Sequence, residues 1–217
     1  MRLATARFSN FRLIAEDLSL ERGGRKLLAR FDLSLESGRA LVITGPNGAG
    51  KSTLLRGLAG LLPPASGRIR LVGAPDEDAQ SHAHYVGHLD ASKPTLTARE
   101  NLEFWQAMLA LPAFPPSLTP DAALARLGLP HVADLPVGYL SAGQKRRVGL
   151  ARLLLAPRPL WLLDEPTTAL DRAAQITFAD CMRDHLAQGG IVVAATHAPL
   201  GLEALQLELG SPRDEAA

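Results

Sequence analysis

The sequence predicts an α/β protein. Its core is a parallel sheet, with an antiparallel β flank at the N-terminal end and a helical subdomain inserted in the middle. Three observations lead there. Ala40-Leu41-Val42-Ile43-Thr44 is an unbroken apolar run, as a strand buried on both faces requires, and Leu160-Trp161-Leu162-Leu163 is a second. Phe31-Asp32-Leu33-Ser34-Leu35-Glu36 alternates strictly between apolar and polar, the pattern of a half-buried antiparallel strand. From about residue 88 to 158 strand signals give way to helical ones.

Taken in order, residues 1–10 read as a loose leader. A strand from Phe11 to Leu20 runs into the turn Arg22-Gly23-Gly24-Arg25, followed by the alternating strand and then the buried strand 40–44. Helical pattern resumes through Thr53-Leu54-Leu55-Arg56-Gly57-Leu58. Thr97-Ala98-Arg99-Glu100 is a capping box, which opens an amphipathic helix through Ala110. The four prolines of Pro112–Pro120 predict a loop, and a short helix is expected over Asp121–Leu127. The last third returns to α/β order, with a strand at 160–164, a helix at 172–187 and a strand at 191–196. On this reading the 217 residues form a single domain. Residues 11–87 and 159–209 make the core and its flank, and 88–158 the helical subdomain.

Composition narrows the function. The 23 basic and 22 acidic residues leave a net charge of +1, too balanced for the basic stripe that a nucleic-acid partner demands. The single cysteine, Cys181, can form neither an internal disulfide nor a multi-cysteine metal site, and its flanks place it packed on a helix. Covalent haem attachment is excluded by the lack of Cys-x-x-Cys-His. The first residues lack the apolar core of a signal peptide, and no run of 18 apolar residues occurs, so a cytoplasmic chain that does not span the membrane is expected.

Gly45-Pro46-Asn47-Gly48-Ala49-Gly50-Lys51-Ser52 fits G-x-x-x-x-G-K-[ST]. Glycines let the backbone wind tightly, so that consecutive N–H groups converge on phosphate oxygens. Lys51 adds a mobile positive charge for the β- and γ-phosphates, Ser52 a hydroxyl for Mg2+, and Thr53 continues the segment into the helix whose positive end faces the same point. The apolar strand 160–163 ends in Asp164 and Glu165. A carboxylate there stands where open α/β sheets bind ligands, so Asp164 is expected to hold Mg2+ and Glu165 to accept a proton from the attacking water. Leu140-Ser141-Ala142-Gly143-Gln144 reads both as a capped helix start and as a helix N-terminus aimed at an anion.

That pentapeptide resembles the signature of the ABC ATPases, a branch of the P-loop NTPases. Ala169-Leu170-Asp171 looks like the family's D-loop, and Thr196-His197 resembles its switch histidine. The resemblance spans residues 45–197. It implies two copies packed head to tail around two ATP molecules, each ATP lying between the phosphate loop of one copy and Ser141, Gly143 and Gln144 of the other. Asp171 would line the same interface, and an integral membrane permease would be levered by the cycle. Two positions depart from the pattern. His88 stands where the family usually has glutamine; a neutral imidazole can donate and accept as an amide does. Arg22 stands where an aromatic ring usually stacks on adenine. It is expected either to lay its guanidinium on the base or to remain a solvated turn arginine.

Gly87-His88, Leu96-Thr97-x-x-Glu100-Asn101-Leu102-x-Phe104-Trp105, Glu21-Arg22 and Thr196-His197-Ala198-Pro199-Leu200 resemble one branch, the ATP-binding subunits of the cytochrome c maturation (haem exporter) system of bacterial inner membranes. This implies ATP and Mg2+ as cofactors and a peripheral position on the cytoplasmic face of that membrane. The expected work is ATP hydrolysis coupled to haem export or to release of haem from its chaperone complex. Direct haem binding is not expected: His84 and His88 have i, i+4 spacing but lie in strand and loop, and His82 does not complete a site. His131 and His185 are expected to be exposed. Alternatives are the ATPase subunit of another small ABC exporter and a soluble, non-transport ABC ATPase. The latter usually carries coiled-coil inserts or two ATPase modules. A nucleotide-binding module without hydrolysis is disfavoured by intact Lys51, Asp164 and Glu165.

Overall fold

The computed structural model describes Phe8, residues 10–110 and residues 118–210, apart from the side chains of Arg22 and Arg25. The chain divides into two compact units. One comprises the chain up to Tyr85, Pro159–Glu165 and the chain from Met182; the other comprises Val86–Arg158 and Pro166–Cys181.

The first unit holds two sheets. β1 (Arg12–Arg22), β2 (Arg25–Glu36) and β4 (Ser66–Val72) form an antiparallel sheet in the order β2-β1-β4. Gly23 and Gly24 join β1 to β2 with φ of 60° and 75°. A two-residue turn of this hand matches the twist of paired strands and favours glycine. β2 begins six residues before the expected alternating stretch, because Arg25-Lys26-Leu27-Leu28 pairs with β1 without alternating. β4 stands outside the expected elements, although Arg68-Ile69-Arg70-Leu71 alternates as a half-buried strand does. Gly67 lets it approach β1: a Cβ there would lie 2.4 Å from the carbonyl oxygens of Glu16 and Asp17.

β3 (Ala40–Thr44), β5 (Ala83–Val86), β6 (Leu160–Asp164), β7 (Ile191–Ala195) and β8 (Leu205–Glu208) form the second sheet, in the order β5-β6-β7-β3-β8. β7 pairs in parallel with both β6 and β3, and β3 in parallel with β8. Every residue of β6 and β7 is buried, which accounts for their unbroken apolar runs. α1 (Lys51–Leu58) buries Leu54, Leu55 and Leu58.

α5 (Arg172–Ala187) corrects one expectation. His185 is not exposed but 5% accessible, with its ring stacked on Trp161 at 4.0 Å and edge-on to Phe8 at 5.5 Å. The ring fits because Gly190 has no Cβ; one there would lie 2.2 Å from Nε2. Helical spacing explains the burial: Phe178, Met182 and His185 fall on one stripe of α5. Desolvation holds the imidazole neutral and pushes its pKa down to about 3. Cys181, on the same helix, is buried, and His131 is exposed.

In the second unit α2 (Ala98–Leu109), α3 (Pro120–Arg126) and α4 (Ala142–Leu155) pack against one another. Both expected capping boxes form, Thr97 with Glu100 and Ser141 with Gln144. Most of the expected proline-rich loop, residues 112–117, lies outside the described residues. Pro120 is the first residue of α3 rather than loop, capped by Thr119. Proline suits that position, since its missing N–H has no partner in the first turn anyway. No described helix is long and apolar enough to cross a membrane.

Candidate active site

In the first unit three strand ends meet on one sheet edge. The register sets Ile43 and Asp164 each opposite Ala195, so the residues that follow β3, β6 and β7 emerge side by side. Gly45 to Ser52 leave β3 as a wound loop. Gly45, Gly48 and Gly50 have φ of 131°, 84° and 98°, open to glycine at little cost. Gly45 admits nothing larger, because a Cβ would stand 2.3 Å from the carbonyl oxygen of Leu209. Pro46 accepts the Ala49 N–H at 3.2 Å, tightening the turn around Asn47. Gly50 caps α1, and Lys51 folds its ammonium back over the loop, donating to the carbonyls of Gly45 at 2.6 Å and Pro46 at 3.0 Å. Thr53 lies among the buried residues of α1.

Ser52 donates its hydroxyl to Asp164 Oδ1 at 3.1 Å. The two hard oxygen donors suit Mg2+, which prefers oxygen ligands and keeps several waters. Glu165 adopts φ +47°, rare for a residue with a side chain, while its N–H donates to the Ala195 carbonyl at 2.8 Å. That left-handed residue turns the chain sharply after Asp164, and strain of this kind concentrates at functional sites. His197 is exposed directly after Thr196, whose hydroxyl accepts the Ala198 N–H at 3.0 Å. The sequence reading missed Arg56 and Tyr85. The Tyr85 hydroxyl lies 3.5 Å from Asp164 Oδ2, and its presence beside the Arg56 guanidinium raises the arginine pKa. Arg56 is four residues after Ser52, one turn along the same helix face, and that spacing was the available signal. The backbone of Arg22 ends β1, and its side chain lies outside the described residues.

In the second unit the signature segment starts α4. Ser141 and Gln144 bond each other's backbone N–H, at 3.2 and 2.8 Å. The helix start leaves the N–H groups of Ala142 and Gly143 without acceptors in their own helix, an arrangement that favours an anion. Gly143 is tight: a Cβ would lie 2.7 Å from the Ala169 carbonyl. Ala169 itself has φ 64°, and Asp171 caps α5, accepting the Ala174 N–H at 2.8 Å. His88 is exposed in the loop after β5. Two side chains hold that loop: buried Asn101 bonds Lys93, Leu96 and Thr97, and half-exposed Trp105 donates to the Ala91 carbonyl at 3.1 Å beneath the Arg152 guanidinium.

A glycine-wound loop between a buried parallel strand and a helix, its serine bonded to the aspartate at the tip of a second strand of the same sheet, defines a phosphate-loop nucleoside triphosphatase. Residues 28–168 match the profile described as "ABC transporter", and the chain belongs to that family. It is 52% identical over 203 residues to "Cytochrome c biogenesis ATP-binding export protein CcmA" of Chelativorans sp. (strain BNC1), covering 92% of this chain and 98% of that protein. It is 54% identical over 200 residues to the protein of the same name from Nitrobacter winogradskyi, with the same coverage. A solved structure titled "Putative ABC transporter (ATP-binding protein)", from Pyrococcus furiosus, shares the fold with a TM-score of 0.76 at 24% identity, over 91% of this chain and 97% of that one. The chain is therefore an ABC-type ATPase subunit that binds and hydrolyses ATP.

Proposed function

We propose that this subunit works as a single ATPase domain and drives a membrane-bound ABC exporter of c-type cytochrome biogenesis. In this reading it acts from the cytoplasmic face, beneath an integral permease, in haem export or in release of haem from its chaperone complex. The observation that carries the reading is identity of about half over nearly the full length of relatives named for cytochrome c biogenesis.

The chemistry follows from the residues. Backbone N–H groups of the loop from Asn47 to Ser52 would hold the β- and γ-phosphates, and Lys51 would leave its two carbonyls to pair with them. Ser52 and Asp164 would hold Mg2+, which would neutralise charge on the phosphate oxygens. Glu165 takes a proton from the attacking water as the water oxygen bonds to the γ-phosphorus and ADP leaves. His197 and His88 orient that water and the γ-phosphate. Ser141, Gly143 and Gln144 of a second copy close over the triphosphate, and Asp171 lines the same interface. Arg22 stacks on adenine.

Deleting the gene in its host and scoring c-type cytochromes tests the biological reading. Loss of haem-staining cytochromes, restored by the wild-type chain but not by Lys51→Ala at equal abundance, is expected. Normal cytochromes in the deletion strain would remove cytochrome biogenesis from the proposal while leaving the ATPase assignment intact.

A further inference from the structure

α4 buries a charge near the start of its apolar face. Arg146, its fifth residue, is 4% exposed. Its guanidinium gathers acceptors from two separate segments. Nη1 donates to the Gly87 carbonyl at 2.8 Å and to Asp90 Oδ1 at 3.1 Å, and Nε donates to the Pro166 carbonyl at 3.2 Å. Gly87 and Asp90 flank His88, and Pro166 directly follows Glu165. A buried guanidinium is costly to desolvate, and an apolar side chain of similar volume often packs as well. The rigid fork gives what an apolar residue cannot, a fixed placement of several carbonyl and carboxylate oxygens at once.

A second residue of α4 serves the same contact. Gly149, one turn on, makes room for Asp90: a Cβ there would lie 3.1 Å from Asp90 Cβ and 3.3 Å from Oδ1. Glycine inside a helix is a poorer choice than alanine for the helix itself. Two unfavourable residues on one helix face thus converge on the same loop.

We propose that Arg146 is a positioning residue for ATP hydrolysis. It clamps the His88 loop on both sides of the histidine, and the peptide after Glu165, to the helix that begins with the signature segment. The loop and the peptide at Pro166 are thereby held in register with that helix, so that loosening the guanidinium displaces the neighbours of His88 and Glu165. The inference rests on the roles proposed above for His88 and Glu165. ATP affinity, set by the phosphate loop, is independent of the clamp.

The test is steady-state ATPase kinetics of the full chain with Mg2+. Arg146→Met is expected to lower kcat roughly 10- to 100-fold, the scale of a small misplacement of reacting groups, with KM for ATP within about twofold. Arg146→Lys should rescue little, because one ammonium cannot span the same acceptors. Gly149→Ala should lower kcat while leaving the thermal midpoint unchanged or higher, an outcome that a purely structural role does not produce. His88→Gln should cost little further activity when added to Arg146→Met. Full kcat in Arg146→Met or in Gly149→Ala, or fully additive losses in the double variant when His88→Gln alone is impaired, would overturn the clamp. If His88→Gln alone is fully active while Arg146→Met and Gly149→Ala are slow, the clamp stands through Pro166 and the reading of His88 fails.

Discussion

The two units mount their functional groups in different ways. In the first, Asp164, Glu165 and His197 stand at or just beyond the ends of adjacent parallel strands, where ladder hydrogen bonds fix their spacing, and Lys51 opens the helix that the loop after β3 leads into. In the second, Ser141 and Gly143 stand at a helix start and His88 in a loop, all exposed or half-exposed. There the placement depends on a few buried polar side chains, Arg146 and Asn101 foremost. A sheet edge is rigid because its backbone bonds are many and cooperative. A loop tied by single side chains can shift as a body when one tie changes. The first arrangement rests on a ladder of backbone bonds, the second on a few side-chain ties.

Replacing Glu165 tests the rigid half most severely. Glu165→Gln should lower turnover roughly 10²–10⁴-fold, the usual range for losing a general base, with ATP still bound and the closed dimer accumulating. Quenched-flow turnover together with size-exclusion chromatography in ATP reads both; near-normal turnover would remove Glu165 from that role. The second unit is tested across copies. Lys51→Ala and Ser141→Arg should each be inactive alone, yet mixing the two should restore measurable ATPase activity, because one site of the mixed dimer is built from undamaged halves. A silent mixture of subunits shown to associate would contradict the shared site.

The smallest effect separates stability from catalysis. His185 has its folded-state pKa pushed down to about 3, so as pH falls below its ordinary value of 6.5 the unfolded chain binds the proton first. The contribution of His185 is therefore complete well above pH 6.5 and is lost between about 6.5 and 3. The loss should reach about 2 kcal/mol by pH 5, at about 1.4 kcal/mol per pH unit. Urea midpoints at pH 7.5 and 5 should diverge in the wild type and converge in His185→Phe; equal divergence would assign the acid sensitivity to other groups.

What the sequence disclosed follows the same division. The phosphate loop, the acidic strand end and both capping boxes are contiguous, and each is specified by local geometry. The buried strands were legible because apolar residues fill both faces of β6 and β7. The polar ties were not. Arg146 reads as one of three consecutive basic residues on a helix, and only its acceptors, 59 and 20 residues away, reveal its burial. His185 escaped because a polar residue on a helix suggests solvent, although its spacing from Phe178 and Met182 marked the inner stripe. β8 also went unanticipated, since exposure along most of its length weakens any apolar signal.

The aromatic pair in the first unit has an optical consequence. The chain has two tryptophans, and they fall one to each unit: Trp161 stacked on the buried imidazole of His185, and Trp105 beside Ala91 and under Arg152. Each indole therefore emits from a distinct surrounding, Trp161 from an apolar interior and Trp105 from a half-exposed, cation-capped one. A chain carrying Trp105→Phe retains only the Trp161 fluorophore, and one carrying Trp161→Phe only the other. Between them, the onset of melting in the sheet unit and in the helical unit can be timed separately without an attached dye.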